Sequence, residues 1–189
     1  PLNRSTGSGT FSIAFWYKPE SLGNYRALVS KWDDGAGEKT FQIRDNNGTL
    51  DFIIGHTNGT TLERLDNTYT SLTAGRWYHV GLTFDNTSKA WTLRLYDDSE
   101  AGDPLGEGTG VVHNESGTAT NNISLTDAPF VVGAWFNGGS PFNAYIDGLI
   151  DEVVVFDRPL DTTEIDQIRQ GTYSFVSPST TTTTTTTTT

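Results

Sequence analysis

Apolar residues recur at every second position through most of this chain. In FSIAFWYK, Phe11, Ile13, Phe15 and Tyr17 share one face, the pattern of a half-buried strand. RALVSKW follows, then a turn at Asp33-Asp34-Gly35. KTFQIRDNNGTLDFIIG reads as a hairpin. Phe41 and Ile43 alternate before Asn47-Gly48, and Leu50, Phe52 and Ile54 alternate after it. RWYHVGLTFD puts Tyr78, Val80, Leu82 and Phe84 on one face. Asp85-Asn86 turns the chain, and AWTLRLYD answers with Trp91, Leu93 and Leu95. From Asp97 to Thr126 the sequence is polar and rich in Gly, which predicts loops around one weak strand. PFVVGAWF and YIDGLIDEVVVFD predict two further strands. The second carries the continuous apolar run of a strand covered on both faces.

One segment changes period. In DTTEIDQIRQG, Asp161 or Thr162 can cap a helix, with Glu164 at capping-box distance from Asp161. Ile165 and Ile168 form its apolar stripe, and Gly171 can end it. Many short strands with frequent turns and one short helix predict an all-β fold, a two-sheet antiparallel sandwich with a short C-terminal helix. Residues 1–173 make one domain, and residues 174–189 are a Thr-rich tail or linker.

Charge and composition narrow the partners. Twelve Lys and Arg face 23 Asp and Glu, a formal net charge of −11. Nucleic acid is disfavoured, because phosphate binding needs a basic face, and so are anionic membrane surfaces. No run approaches the roughly 20 apolar residues that insert across a bilayer. The chain has no Cys, so it forms no disulfides or thiolate metal sites, and it fits an oxidising exterior. It has no Met either, which suggests that it begins inside a longer or processed product.

GRWYHVGLTFDNTSKAWTLRLYDD, FVVGAW and GLIDEVVVFDRPLDTTEIDQI resemble the laminin-G-like, concanavalin-A-like jelly-roll modules of extracellular multidomain proteins. The resemblance covers about Gly9 to Tyr173, and Gly148 to Ile168 is its most specific part. It implies a jelly roll placed outside the cell or on its surface, binding glycans, proteins or other copies of itself. One departure stands out. The family's opening strand, rich in Asp and Gly, has no counterpart in PLNRSTGSGT, so the first strand is expected to be missing.

Candidate chemistry is sparse. Related folds include glycosidases with paired carboxylates on one strand face, but no Glu-x-Asp-x-Glu triplet is present. Asp151 and Glu152 are adjacent and so point to opposite faces of a strand. His79 lies mid-strand, while His56 and His113 are read in turns, and all three have structural roles. These features disfavour an enzyme. The resemblance implies a structural calcium, for which Asp147 and Asp151 are the candidate ligands and Asp33-Asp34 a second acidic turn. For a soluble or surface glycan, exposed aromatics are the candidates. Trp77 and Trp91 lie on strands and are assigned to the core, whereas Trp32, Trp135 and Phe136 adjoin loops.

Covalent glycans have two candidate attachments. Asn3, Asn47, Asn58, Asn86, Asn114 and Asn122 head N-x-S/T sequons, mostly in turns. Thr180, Thr181, Thr182, Thr183, Thr184, Thr185, Thr186, Thr187, Thr188 and Thr189 follow a proline, as in O-glycosylated stalks. Two functional readings follow. In the first, the chain is a non-catalytic structural subunit of a filament or stalk. Its tail, anchored by Tyr173, Phe175 and Val176, docks on the edge left by the missing strand of the next copy. In the second, it is a lectin-like adhesion module tethered by a threonine linker.

Overall fold

The period-two segments all become strands. The computed structural model describes residues 8–56, 61–98, 110–137 and 140–174. In chain order the elements are β1 (Phe11–Pro19), β2 (Arg26–Asp33), β3 (Glu38–Asn46), β4 (Thr49–Gly55), β5 (Leu62–Asp66) and β6 (Tyr78–Phe84). Then come β7 (Ala90–Asp97), β8 (Val111–Thr118), β9 (Phe130–Val132), β10 (Trp135–Asn137), β11 (Ser140–Asn143), β12 (Gly148–Phe156) and α1 (Thr162–Arg169). A five-stranded sheet runs β12-β1-β6-β7-β8. A seven-stranded sheet runs β11-β10-β2-β3-β4-β5, with β9 paired to β2 beside that path. This is the jelly-roll sandwich that the sequence predicts. Among the described residues, the one parallel pairing is β10 with β2.

The core lies between the sheets and consists of the residues that alternate in sequence. Phe11, Ile13, Phe15 and Tyr17 of β1, with Tyr78, Val80, Leu82 and Phe84 of β6, meet Phe41, Ile43, Leu50, Phe52 and Ile54 of β3 and β4. Phe11 stacks on Phe41 across the gap at 4.7 Å. Asn47 and Gly48 both take positive φ, +54° and +88°, as a tight hairpin turn requires.

Three strand expectations need correction. PFVVGAWF is not one strand. Gly133 turns at φ +79° and splits it into β9 and β10. β5, in LERLD, was not expected, since its alternation leaves Leu62 outward. The final strand is not covered on both faces either. β12 is the edge of its sheet, and Leu149 and Val155 are 49% and 41% exposed. Its apolar run is interrupted in register by a bulge opposite Ala14 and Trp16, with Glu152 at φ +51°. No strand occurs in residues 8–10, and β1 is flanked on both sides, by β12 and β6. Among the described residues, the free side of β12 pairs with no strand.

The helix forms where the sequence places it. The Asp161 side chain accepts the Glu164 N–H, and the Glu164 side chain accepts the Asp161 N–H, closing the capping box. Gly171 follows at φ +68°. α1 packs on the outer face of the five-stranded sheet. Gly81 makes room for Ile165: a Cβ there would stand 2.4 Å from Ile165 Cγ2. Arg94 donates to both carboxylate oxygens of Asp166, at 3.1 and 2.6 Å. Ser12 ties the lead-in to β1, donating to the Arg158 carbonyl at 2.8 Å and accepting from the Leu160 N–H at 2.9 Å.

Candidate functional site

The opposite outer face, that of the seven-stranded sheet, is built from the polar halves of the same alternations. When Phe41 and Ile43 point into the core, Gln42 and Arg44 point out, and when Leu50, Phe52 and Ile54 point in, Asp51 and Ile53 point out. The ladders align these positions side by side. Ser30, Gln42, Ile53 and Arg64 form one row across β2 to β5, and Arg44 pairs with Asp51 in the next. A bulge in β3 brings Lys39 opposite Trp32.

At one end of this face Trp32 stacks on Trp135, with centroids 6.4 Å apart and planes 13° from parallel. The Lys39 ammonium lies 5.5 Å from the Trp32 ring and 2.7 Å from Asp34. At the other end Arg44 Nε donates to Asp51 Oδ2 at 3.0 Å, and Arg64 Nη2 lies 3.6 Å from the same oxygen. The Arg44 guanidinium sits 4.8 Å over the Tyr25 ring, which is 51% exposed. Between the ends lies Gln42, fully buried, and neither of its amide atoms has a partner. Trp32 Nε1, Trp135 Nε1 and Asp51 Oδ1 are likewise buried without partners. A buried polar group left so costs about 1–3 kcal/mol, and folded proteins rarely keep several together. Here four residues on neighbouring strands do, and all of these polar atoms are sealed from solvent.

Sequence reasoning named Trp32 and Trp135 but missed Gln42, Arg44, Asp51, Arg64 and Tyr25. Read one strand at a time, polar alternates look like ordinary solvent-facing residues, and only the three-strand register gathers them. Trp32 also differs from its expected rim position. It is 3% exposed, one face taken by Trp135, so the accessible ring of the pair is the half-buried Trp135. Phe136 is half-buried beside it, and its carbonyl accepts the Asp34 N–H. Trp91 is buried as assigned, whereas Trp77 is half-buried and meets Trp16 edge-on at 6.4 Å.

The remaining candidates are dispersed. Asp147 accepts from the Ser21 hydroxyl and lies 3.9 Å from Arg26, while Asp151 accepts the Glu152 N–H. Asp33 accepts the Ala36 N–H. Calcium takes six to eight oxygens, and a carboxylate facing a guanidinium is a poor start. Among the described residues no three Asp, Glu or His converge on a metal position, so the candidate acids do not fit the implied ion.

His113 lies on β8 rather than in a turn, hydrogen-bonded to Asp66 of β5, and so links the edges of the two sheets. Burial pushes the Asp66 carboxyl up, but the bonds from His113 and Thr68 outweigh it and hold it below the usual range. His56, just after β4, meets Glu63 of the adjacent β5 at 2.8 Å, within one sheet.

Of the sequons, Asn47 is exposed at its hairpin tip and Asn114 is exposed on β8, accepting from Arg94. The Asn86 amide is engaged with Ser8, Ile123 and Asn122. Tyr173 packs against Phe156 at 5.4 Å, and its hydroxyl accepts from Arg158. Asn3, Asn58, Phe175, Val176 and Thr180 to Thr189 lie outside the described residues.

Known proteins match this architecture. Residues 2–166 match the family model of the concanavalin A-like lectin/glucanases superfamily. A rat protein, "Sushi, von Willebrand factor type A, EGF and pentraxin domain-containing protein 1", is 27% identical over 154 residues. The match covers 82% of this chain and 4% of that protein's length. Among solved structures, the CBM40 of Ruminococcus gnavus IT-sialidase superposes with a TM-score of 0.63 at 15% identity, covering 86% of this chain and 84% of that one. The same CBM40 is also known bound to alpha2,3 sialyllactose. The heptameric SAP-like pentraxin of Limulus polyphemus gives a TM-score of 0.54 at 14% identity, covering 89% of this chain and 73% of that one. Among the described residues no helix is long and apolar enough to cross a membrane.

Proposed function

The chain belongs to the concanavalin A-like lectin/glucanase superfamily, and from that premise we propose that it is a non-catalytic, laminin-G-like carbohydrate-binding module working outside the cell. The observation that carries the reading is one end of the seven-stranded sheet's outer face, where the half-buried Trp135 stacks on Trp32 beside the polar rim of Lys39 and Asp34. A sugar presents the same pairing, an apolar ring face edged by hydroxyls. Trp135 would take the ring face and the polar rim would take the hydroxyls. The sialyllactose-bound CBM40 shares this fold, which supports the class of ligand.

The structural-filament reading has one observation bearing on it, and it weighs the other way. Tyr173, its first anchor, is seated on Phe156 and Arg158 of its own domain. The O-glycosylated tail then serves as a stalk that carries the module.

The test is a glycan array of the purified chain beside Trp135→Ala. Binding should fall at least tenfold while circular dichroism and melting stay close to the parent. Binding equal to the parent, or turnover of any bound polysaccharide, would overturn the reading.

A further inference from the structure

We propose that Asn114 is an N-glycosylation site of the secreted chain and that its first sugar lies in the polar groove beside α1. The chain needs only to travel outside the cell for this, whether or not it binds a glycan itself. The described sequons divide by what their amide nitrogens do. The Asn86 Nδ2 donates to the Ser8 carbonyl at 3.0 Å, and the Asn122 Nδ2 donates to the main-chain and side-chain oxygens of Asn86. A sugar on either nitrogen would crowd a junction that also holds the Ile123 N–H. Asn47 is open, at its hairpin tip. Asn114 is open too, and it uses its oxygen alone, accepting from Arg94 Nη1 at 3.2 Å. Among the described residues its Nδ2 donates to nothing, and β8 is the outermost strand of its sheet, so no further strand crowds that nitrogen.

Asn114 differs from Asn47 in what lies beside it. It sits opposite Arg94 in the β7–β8 ladder, and the same guanidinium holds both oxygens of Asp166. Asp166, with Thr163, Gln167, Gln170 and Thr172, lines a groove of about 390 Å³ along α1. A sugar ring attached to Asn114 therefore starts one guanidinium's width from this groove. The walls are hydroxyl, amide and carboxylate groups, which are the partners that sugar hydroxyls and an N-acetyl group take. In the transfer, Asn114 Nδ2 gives up a proton and bonds to the anomeric carbon of a lipid-pyrophosphate-linked oligosaccharide, whose pyrophosphate leaves with the bonding pair. Ser116, two residues on and exposed, completes the acceptor sequence.

The experiment secretes the full chain from cultured mammalian cells beside Ser116→Ala, which keeps Asn114 and its bond from Arg94 but breaks the sequon. Peptide mass mapping, with peptide-N-glycosidase release in heavy-oxygen water, reads each sequon. Asn114 should carry a glycan in most molecules, ahead of Asn86 and Asn122. Hydrogen exchange then follows α1 in three forms: fully glycosylated, trimmed by an endoglycosidase to the first sugar, and Ser116→Ala. The α1 amides should exchange alike in the first two and about threefold faster in the third. A chain glycosylated at Asn47 but bare at Asn114 would overturn the proposal, and so would one bare at every sequon. A glycosylated Asn114 with α1 exchange equal in all three forms would overturn the seat in the groove. Glycan recognition by Trp135 is decided separately, by the array.

Discussion

His79 is 2% exposed on the outer face of β6, with the Trp16 ring 5.1 Å away and the charges of Arg169, Asp166 and Arg94 around it. Burial, reinforced by the positive charges of Arg169 and Arg94, pushes its pKa down from 6.5 to about 3. In that interval the unfolded chain holds a proton on this residue that the folded chain does not. Its contribution to stability is therefore complete above pH 6.5 and falls by about 1.4 kcal/mol per pH unit as the solution is acidified toward pH 3. Urea midpoints at pH 7 and pH 5 should separate in the parent, and His79→Gln should narrow the gap. Equal gaps would remove His79 as the cause. Position by position, the sequence reveals the inward half of the molecule well, because Phe11, Ile13, Phe15 and Tyr17 leave one way to bury four large side chains. It reveals the outward half poorly. Gln42, Arg44 and Asp51 follow the rule for solvent-facing residues, yet all three are buried, through neighbours far along the chain.

Among the elements, α1 was the most legible, since its cap, stripe and terminating glycine are all local signals. Its seat was not, because nothing in the sequence links Gly81 to Ile165 some eighty residues later. That contact makes a prediction. Gly81→Val inserts carbon where a Cβ alone would stand 2.4 Å from Ile165, so the helix must shift. A loss of about 1–3 kcal/mol is expected in chemical denaturation, with glycan binding unchanged because the helix lies on the other sheet. A fully stable variant would show that the helix docks loosely. β12 is hard to read from sequence for a related reason. An apolar run such as Val153-Val154-Val155 suits a covered strand and a bulged edge strand equally, and the bulge at Glu152 is not written in local propensity.

The whole molecule presents two outer faces with different work. One carries the stacked tryptophan pair of the proposed glycan site. The other holds α1 and releases the chain at Ser174, so a stalk leaving there would present the ligand face away from its anchor. The family and the sandwich were readable from GLIDEVVVFDRPLDTTEIDQI and its companions, but the division of labour between faces was not, since it depends on which sheet the helix covers. The pairing of β1 with β12 carries one more consequence. The strands are antiparallel, and Ser12 at the entry of β1 sits opposite Phe156 at the exit of β12. If the two ends are pulled apart, the load falls on this one end of the ladder, and its bonds open in succession, like a zipper, instead of sharing the strain. The Ser12 hydroxyl, bridging Arg158 and Leu160, is the first clasp in the line of force. Optical-tweezer pulling should find a module that yields at low tension, and Ser12→Ala should lower that tension further. A module built this way lengthens under load before the load passes on, which makes it an extensible, shock-absorbing link.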